Sequence, residues 1–447
     1  GGQDNNIAIG ATHSTIGGGK INIIASGAIL STIGGGTGND IGTDAIYSAI
    51  GGGRNNDIES NATHSTIGGG YDNDIGTDAT YSTIGGGVGN DIESGASYSG
   101  IFSGWNHTVG GASSFIGGGT SNSVYAYESA IVGGKDNTAQ SSSLRSFMGG
   151  GNSNKTGGTD SASLGGYLNT ISNGGDRSFA GGGQSNTVSS EDSFVGGGQS
   201  NTIQTSSTHS VILGGQAHTI TSSKYSGIVA GTGHYISLGS SSFIGGGTSN
   251  SVYDYESAIV GGYNNTIASG AYRSTIGGGE NNDIESSATH STIGGGKINT
   301  IASGAILSTI GGGTGNNIES SASYSTVGGG QNNDIGNGAT YSTVGGGQNN
   351  TIESSATHST IGGGWNNNIL DGAYYSTIGG GVNNDIESGA YLSTIGGGSG
   401  NDIESGAYLS TIGGGVNNDI ESGAIYSTIG GGRSNDIGNG ATHSTIG

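Results

Sequence analysis

"STIGGGVNNDIESGAYL" runs from Ser376 to Leu392, and "STIGGGSGNDIESGAYL" follows at once from Ser393 to Leu409. The two stretches have the same length and differ at two positions. A fixed period of this kind outranks any element-by-element reading, because each repeat is then one structural unit that cannot bury its own apolar face. Working outward, a Ser opening "S-x-I-G-G-G" recurs at Ser14, Ser31, Ser48, Ser65 and Ser82, always 17 residues apart. Between Ser99 and Ser257 the spacing loosens to 15, 16 or 17, and from Ser257 to Ser444 it is 17 throughout. We number positions 1 to 17 from this Ser, with the consensus S-T-I-G-G-G-x-N-N-D-I-E-S-G-A-x-Y. "FIGGGTSNSVYAYESAIVGG" at Phe115 returns as "FIGGGTSNSVYDYESAIVGG" at Phe243, so whole blocks of units have been duplicated.

Each unit offers two strand candidates, "A-x-Y-S-T-I" and "N-D-I-E-S", separated by turn residues. Glycine triplets allow positive φ at one corner, and "S-G" or "S-S" serves the other. Stacking unit on unit would pair each strand with its own image about 4.8 Å away. The expected fold is therefore all-β: a parallel β-solenoid of about 27 coils with two short strands per coil. It would be a single array over residues 1–447, with regular coils at 1–98, irregular ones at 99–256 and regular ones at 257–447. The absence of proline fits continuous ladders, since proline cannot donate to one.

The columns carry the argument further. Position 3 (Ile16, Ile67, Ile276, Val327, Ile412) and position 11 (Ile41, Ile92, Val188, Ile420) are aliphatic and form the predicted core. Two buried aliphatics per coil, at about 2 kcal/mol each, are few against the cost of ordering 17 residues. Hydrogen bonding, small-residue packing or partner chains must supply the rest. Position 9 is Asn in most units, including Asn39, Asn90, Asn186, Asn282 and Asn401. Asn tolerates left-handed geometry, and its amide can bond to the same residue above and below, so a corner ladder is expected. His107, His218 and His234 take that position in three coils, and the other six histidines fall on position 17, where Tyr is commonest.

Composition narrows the function. The 102 glycines of 447 residues far exceed the usual share of about 7%, yet their strict register argues against disorder. A net charge of -22 would repel phosphate backbones, which argues against a nucleic-acid partner. There is no apolar run of roughly 20 residues, so no membrane helix is expected. The lack of Cys fits an extracellular or periplasmic setting without a disulfide framework and leaves the redox compartment open; the expected location is extracellular or at the cell surface. Ser stands at the first position of every unit, so Ser-His-Asp combinations occur all along the chain and point to no catalytic site, and no enzyme is expected.

Several columns suggest ligands. "GGSGNDIE" at Gly397, "GGVGNDIE" at Gly86 and "GGTGNDIG" at Gly35 match a calcium-binding nonapeptide, with Asp402, Asp91 and Asp40 as the metal candidates. That family repeats the motif twice per coil, and here the intervening half carries no second copy. Glu387, Glu404 and Glu421 share one column and Asp385, Asp402 and Asp419 another. Like charges so close repel, so they should splay into solvent or be screened by cations such as calcium. No other cofactor is expected. Thr fills position 2 in ten successive units from Thr275 to Thr428, a row that suits strand pairing and also ice binding. Tyr47, Tyr81, Tyr98, Tyr324, Tyr341, Tyr375 and Tyr426 on position 17 would make a stacking ladder or a stripe suited to sugars. N-glycosylation triplets begin at Asn61, Asn106, Asn154, Asn264 and Asn349, although an Asn-rich repeat also produces such triplets by chance.

At "SAIVGG" (Ser129), "SVILGG" (Ser210) and the recurring "GAYxSTIGGG", the chain resembles the head repeats of YadA-like trimeric autotransporter adhesins. The resemblance implies a surface-exposed β-roll that trimerises and binds host or matrix surfaces. The chain departs from those heads in its 17-residue period, its glycine triplet and its Asn column. The resulting expectation is a non-enzymatic structural protein forming an extracellular rod or fibril, glycan-decorated, with an adhesive or surface-coating role. The alternative is the head of a trimeric adhesin or of a viral or phage fibre; behind both stand an ice-binding protein and a calcium-binding repeat module. Expected partners are further copies of the chain, stacked head to tail or as a trimer, and glycans. Gly447 leads back into Gly1 with the register intact, which fits either head-to-tail stacking or a window from a longer repetitive chain.

Overall fold

A computed structural model describes residues 1–447, and it is all-β, with 54 short strands, two per coil, and no helix. The strands form two parallel sheets wound into a β-solenoid of about 26 turns, mostly of 17 residues. The chain divides into two compact units, Gly1–Thr219 and Ile220–Gly447. Both are built in the same way, so one coil of the second unit, Ser376–Leu392, serves to describe them.

The strands are shorter than the sequence suggests. Thr377–Ile378 and Asp385–Ile386 span two residues each, at positions 2–3 and 10–11. Both pair in register with their own images one coil on: Thr377 with Thr394, Ile378 with Ile395, Asp385 with Asp402 and Ile386 with Ile403. A third ladder of single bridges joins the position-7 residues, as Val382 to Ser399. The rest of each coil is turn, because residues at positions 8, 14 and 17 take positive φ and reverse the chain. In this coil they are Asn383 (φ 53), Gly389 (φ 73) and Leu392 (φ 56). Left-handed geometry thus belongs to position 8, not to the position-9 Asn for which its tolerance was invoked.

Alternation along the two-residue strands points Ile378 and Ile386 inward, and both are fully buried. The expected core columns are therefore the observed ones, and three further columns join them. Ala390 at position 15, Ser376 at position 1 and Asn384 at position 9 are equally buried. Most coils thus enclose two aliphatic side chains, one methyl group and two hydrogen-bonded polar side chains. The third glycine of the triplet is fixed by geometry: Gly381 has φ 104, and a Cβ there would run into the Gly398 carbonyl oxygen of the next coil.

Candidate functional site

The polar columns divide into those that close the interior and those that face outward. The Asn ladder belongs to the first group. Asn384 Nδ2 donates to Asn367 Oδ1 (2.9 Å), to Gly380 O (3.1 Å) and to Gly398 O (3.2 Å), while its Oδ1 accepts from Asn401 N (3.1 Å) and Asn401 Nδ2 (3.0 Å). The amide therefore satisfies carbonyls of two successive glycine turns, which no apolar residue could do without leaving buried polar groups bare. Asn39, Asn90, Asn186 and Asn282 hold the same two turn carbonyls, one in their own coil and one in the next.

Histidine keeps half of this pattern. His107 N donates to Asn90 Oδ1 (3.1 Å), and His107 Nδ1 accepts from Asn122 N (3.1 Å). Nδ1 thus stands where the Asn carbonyl oxygen would be, and in the neutral ring the proton must lie on Nε2. His234 Nδ1 likewise accepts from Asn250 N (3.1 Å), and His218 N donates to Asn201 Oδ1 (3.1 Å). Burial holds the pKa of His107 and His234 below the ordinary imidazole value, which preserves the acceptor.

A second interior ladder, of serine, was not foreseen. Ser376 Oγ donates to Ala390 O (3.2 Å) and accepts from Ser393 N (3.2 Å), and the same pair of bonds recurs at Ser31 and Ser48. Its signal in the sequence was the invariance of position 1 together with Ala at position 15. These hydroxyls are buried and committed to main-chain groups.

The acidic columns behave differently from each other. The Glu column is tied to the next coil: Glu387 Oε2 accepts from Ser405 N (3.1 Å) and Ser405 Oγ (2.8 Å), and Glu404 does the same with Ser422. Each glutamate therefore fastens the position-13 turn of the next coil. The Asp column is half-buried and stacked in register, Asp40 on Asp57 on Asp74 on Asp91. Burial, with repulsion from acidic neighbours, raises Asp57 to about 6 and Asp74 to about 7; in the second unit Asp402 rises to about 7 and Asp419 to about 6. One oxygen each of Asp40, Asp74, Asp402 and Asp419 is buried without a hydrogen-bond partner.

The calcium candidates can be tested against this geometry. Calcium takes six to eight oxygens converging on one point. Asp40, Asp91 and Asp402 instead stand one per coil in a line, and no three His, Asp or Glu side chains converge on a common point. The donor set does not fit a calcium site of the nonapeptide kind.

The outward columns repeat less faithfully. In the second unit the Thr row does face out, and Thr292, Thr309, Thr394, Thr411 and Thr428 are exposed. Position-17 aromatics stack face to face: Tyr47, His64, Tyr81 and Tyr98 have successive centroids 4.9, 4.6 and 5.1 Å apart, and Tyr324, Tyr341, His358 and Tyr375 have them 4.7, 4.9 and 4.6 Å apart. Rings so placed cover much of each other's faces, the part of an aromatic ring that a sugar would contact. Of the glycosylation triplets, Asn61, Asn106 and Asn264 are exposed and Asn349 is half-buried. Asn154 is fully buried with its amide donating to Gly150 O and Gly166 O, so it cannot carry a glycan in the folded chain.

No protein-family model matches the chain, and no curated protein matches it in sequence. No helix of the chain is long and apolar enough to cross a membrane.

Proposed function

We propose that this chain is a non-enzymatic structural protein, an extracellular repeat solenoid that forms a rod or fibril and coats or adheres to surfaces. One observation carries the reading: the serines, asparagines and histidines that could serve chemistry in the interior are committed to closing each coil and holding it on the next. What remains for function is the outer face of columns that recur coil after coil, a geometry suited to extended, repeated contact. Exposed Asn61, Asn106 and Asn264 would be the points of glycan attachment. Electron microscopy of the purified chain, with binding to matrix-coated and uncoated surfaces, tests this. Filaments and surface retention are expected; dispersed particles that bind nothing would overturn it.

The second reading, the head of a trimeric adhesin or of a viral or phage fibre, is favoured by apolar side chains exposed on the position-2 sheet of the irregular coils, including Phe102, Val132 and Leu164. Three chains packed on that face would bury them. Mass in solution separates a trimer from a single chain.

A further inference from the structure

Between Ser99 and His209, in the first unit, the outward columns change character together. Position 2 or position 4 of each coil carries a large apolar residue, and the other carries a small one. Phe102 stands at position 4 beside Gly100, Phe115 at position 2 beside Gly117, Val132 at 4 beside Ala130, Phe147 at 2 beside Gly149, Leu164 at 4 beside Ala162 and Phe179 at 2 beside Gly181. The first five are 72, 41, 50, 40 and 50% exposed, a contiguous apolar stripe of the sort that a soluble surface rarely leaves bare. Bumps and hollows alternate along it with a period of two coils from Phe102 to Phe179; the next coil ends the alternation, with Phe194 again at position 2 beside Gly196 and stacked on Phe179.

Position 17 flanks this stripe and alternates in charge with the same period: Glu128, Arg145, Asp160, Arg177, Asp192, His209. From Ser114 to His209, the 15-residue coils end in the acids and the 17-residue coils in the bases. Within the chain the column is laced vertically. Arg145 Nε and Nη2 donate to Asp160 Oδ1 and Oδ2 (2.6 and 2.9 Å), Arg177 holds Asp192 in the same way (2.7 and 3.0 Å) and also pairs with Glu191, and His209 Nε2 lies 3.6 Å from Asp192 Oδ2. About half of each arginine side chain still faces solvent. An apolar centre with a charged margin is the anatomy of a protein interface.

We infer that this face is a docking surface for a second copy of the same chain, laid antiparallel against it. The alternation selects the occupant, because a pattern of period two is complementary to itself when displaced by one coil. The charged column selects the direction. A two-fold axis lying across the stripe, between the coils of Phe147 and Ala162, sets position 17 against position 17 with the coil order reversed. Asp160 then faces Arg177, Arg145 faces Asp192 and Glu128 faces His209. Phe147 falls opposite Ala162 and Phe179 opposite Ala130. A parallel pair could still seat position 2 against position 4, but it would turn the charged column away from its counterpart. The antiparallel pair is also closed, with the same patch on both partners. The four coils from Ser129 to Asp192 pair bump to hollow, and the coils of Phe115 and Phe194 meet aromatic to aromatic at either end. Six coils at about 4.8 Å give a contact roughly 30 Å long, at the small end of specific interfaces, near 1,000 Å² in total, so association at micromolar concentration is expected.

This proposal rests on reading the chain as a self-associating structural protein, and its test is separable from the test for filaments. Sedimentation of the full chain over a micromolar range should show monomers in equilibrium with dimers. Arg145→Glu with Arg177→Glu makes the column acidic from position 128 to position 192; Glu128→Lys, Asp160→Lys and Asp192→Lys together make another basic. Each variant alone should be monomeric at concentrations where the natural chain pairs, and their mixture should pair again. Circular dichroism checks that both fold. Should either fail to, cross-linking decides: the chain has no cysteine of its own, so Ala130→Cys mixed with Phe179→Cys should form an intermolecular disulfide. Linking of Ala130→Cys to Val132→Cys instead would mark parallel pairing and overturn the proposal. So would a natural chain that stays monomeric throughout, or one that stays monomeric and floats with phosphatidylcholine vesicles, which would give the stripe to a lipid surface. Loss of filaments with the dimer retained would remove the structural reading and leave the interface standing.

Discussion

The regular coils and the irregular coils of residues 99–256 share an interior and differ in almost everything outside it. Ser at position 1 and a hydrogen-bonding side chain at 9 line both, and isoleucine or valine fills positions 3 and 11 throughout the regular coils and in most of the irregular ones, where Ala139, Met148, Thr156, Ser163 and Ala180 take their place. Outside, the regular coils present Thr at position 2, aromatics at 17 and Asp at 10. The irregular ones present Phe, Val or Leu at 2 and 4, alternating charge at 17 and mostly Thr or Ser at 10, as at Thr108 and Ser123. The interior columns specify the fold, and the outer columns are free to vary with the surface each stretch must show.

The sharpest way to break the comparison is through the shared interior. Asn384→Leu leaves the Asn401 N–H and the Gly380 and Gly398 carbonyls short of a buried partner, at about 1–3 kcal/mol for each group. Local loss of amide-exchange protection over the neighbouring coils should follow. His107→Asn, by contrast, restores the full ladder and should raise stability by about 1 kcal/mol, read from denaturant melts. Gly381→Ala should be as damaging as Asn384→Leu, since it combines left-handed geometry with a main-chain collision, and equivalent changes at Gly151 in the irregular coils should match it.

The two kinds of coil should also answer pH in opposite senses. Asp57, Asp74, Asp402 and Asp419 titrate near 6 to 7 in the fold and near 3.8 when unfolded. The folded state therefore holds extra protons, so their contribution is full below about pH 4 and is lost as pH rises through 6 to 7. His107 and His234 have folded values below the ordinary 6.5, so they favour the fold above that pH and lose this as pH falls. Residue-resolved hydrogen exchange at pH 5 and pH 8 should show the Asp-rich coils better protected at the lower pH and the coils around His107 better protected at the higher one. Uniform behaviour would mean that neither column governs local stability. Calcium should not raise the melting midpoint at neutral pH; a clear rise would reinstate a metal role for Asp40, Asp91 and Asp402.

The smallest effect concerns the charged column. Arg177→Gln should barely move the denaturant midpoint, because the pair it breaks with Asp192 is exposed. The same change should weaken pairing between copies more than it weakens the fold, and the difference should shrink with added salt.

The sequence made the period, the two aliphatic columns and the Asn ladder legible, since each depends only on identical residues recurring at a fixed spacing. The Ser ladder and the Glu bonds were hidden, because they join different positions: position 1 to position 15 of the same coil, and position 12 to position 13 of the next. The αL residue was misplaced by one because "N-N" offers two candidates, and only the turn decides that Asn383 reverses the chain while Asn384 points inward. The alternation at position 17 was present in the letters all along. Reading each column for its commonest residue made Arg145 and Asp160 look like exceptions to Tyr, when they follow a rule of their own.

The 15-residue coils show where a turn of this fold can change length. In Ser114–Glu128 the chain passes from Val124 to Ala126 with two residues fewer, yet Ala126 O still accepts from Ser114 Oγ (2.7 Å) and the neighbouring strands stay in register. Length variation is thus confined to one corner, and whole coils can be copied or deleted without re-registering their neighbours. Such a molecule can diversify by unequal recombination as readily as by point mutation, and the near-identical blocks at Phe115 and Phe243 record that it has done so.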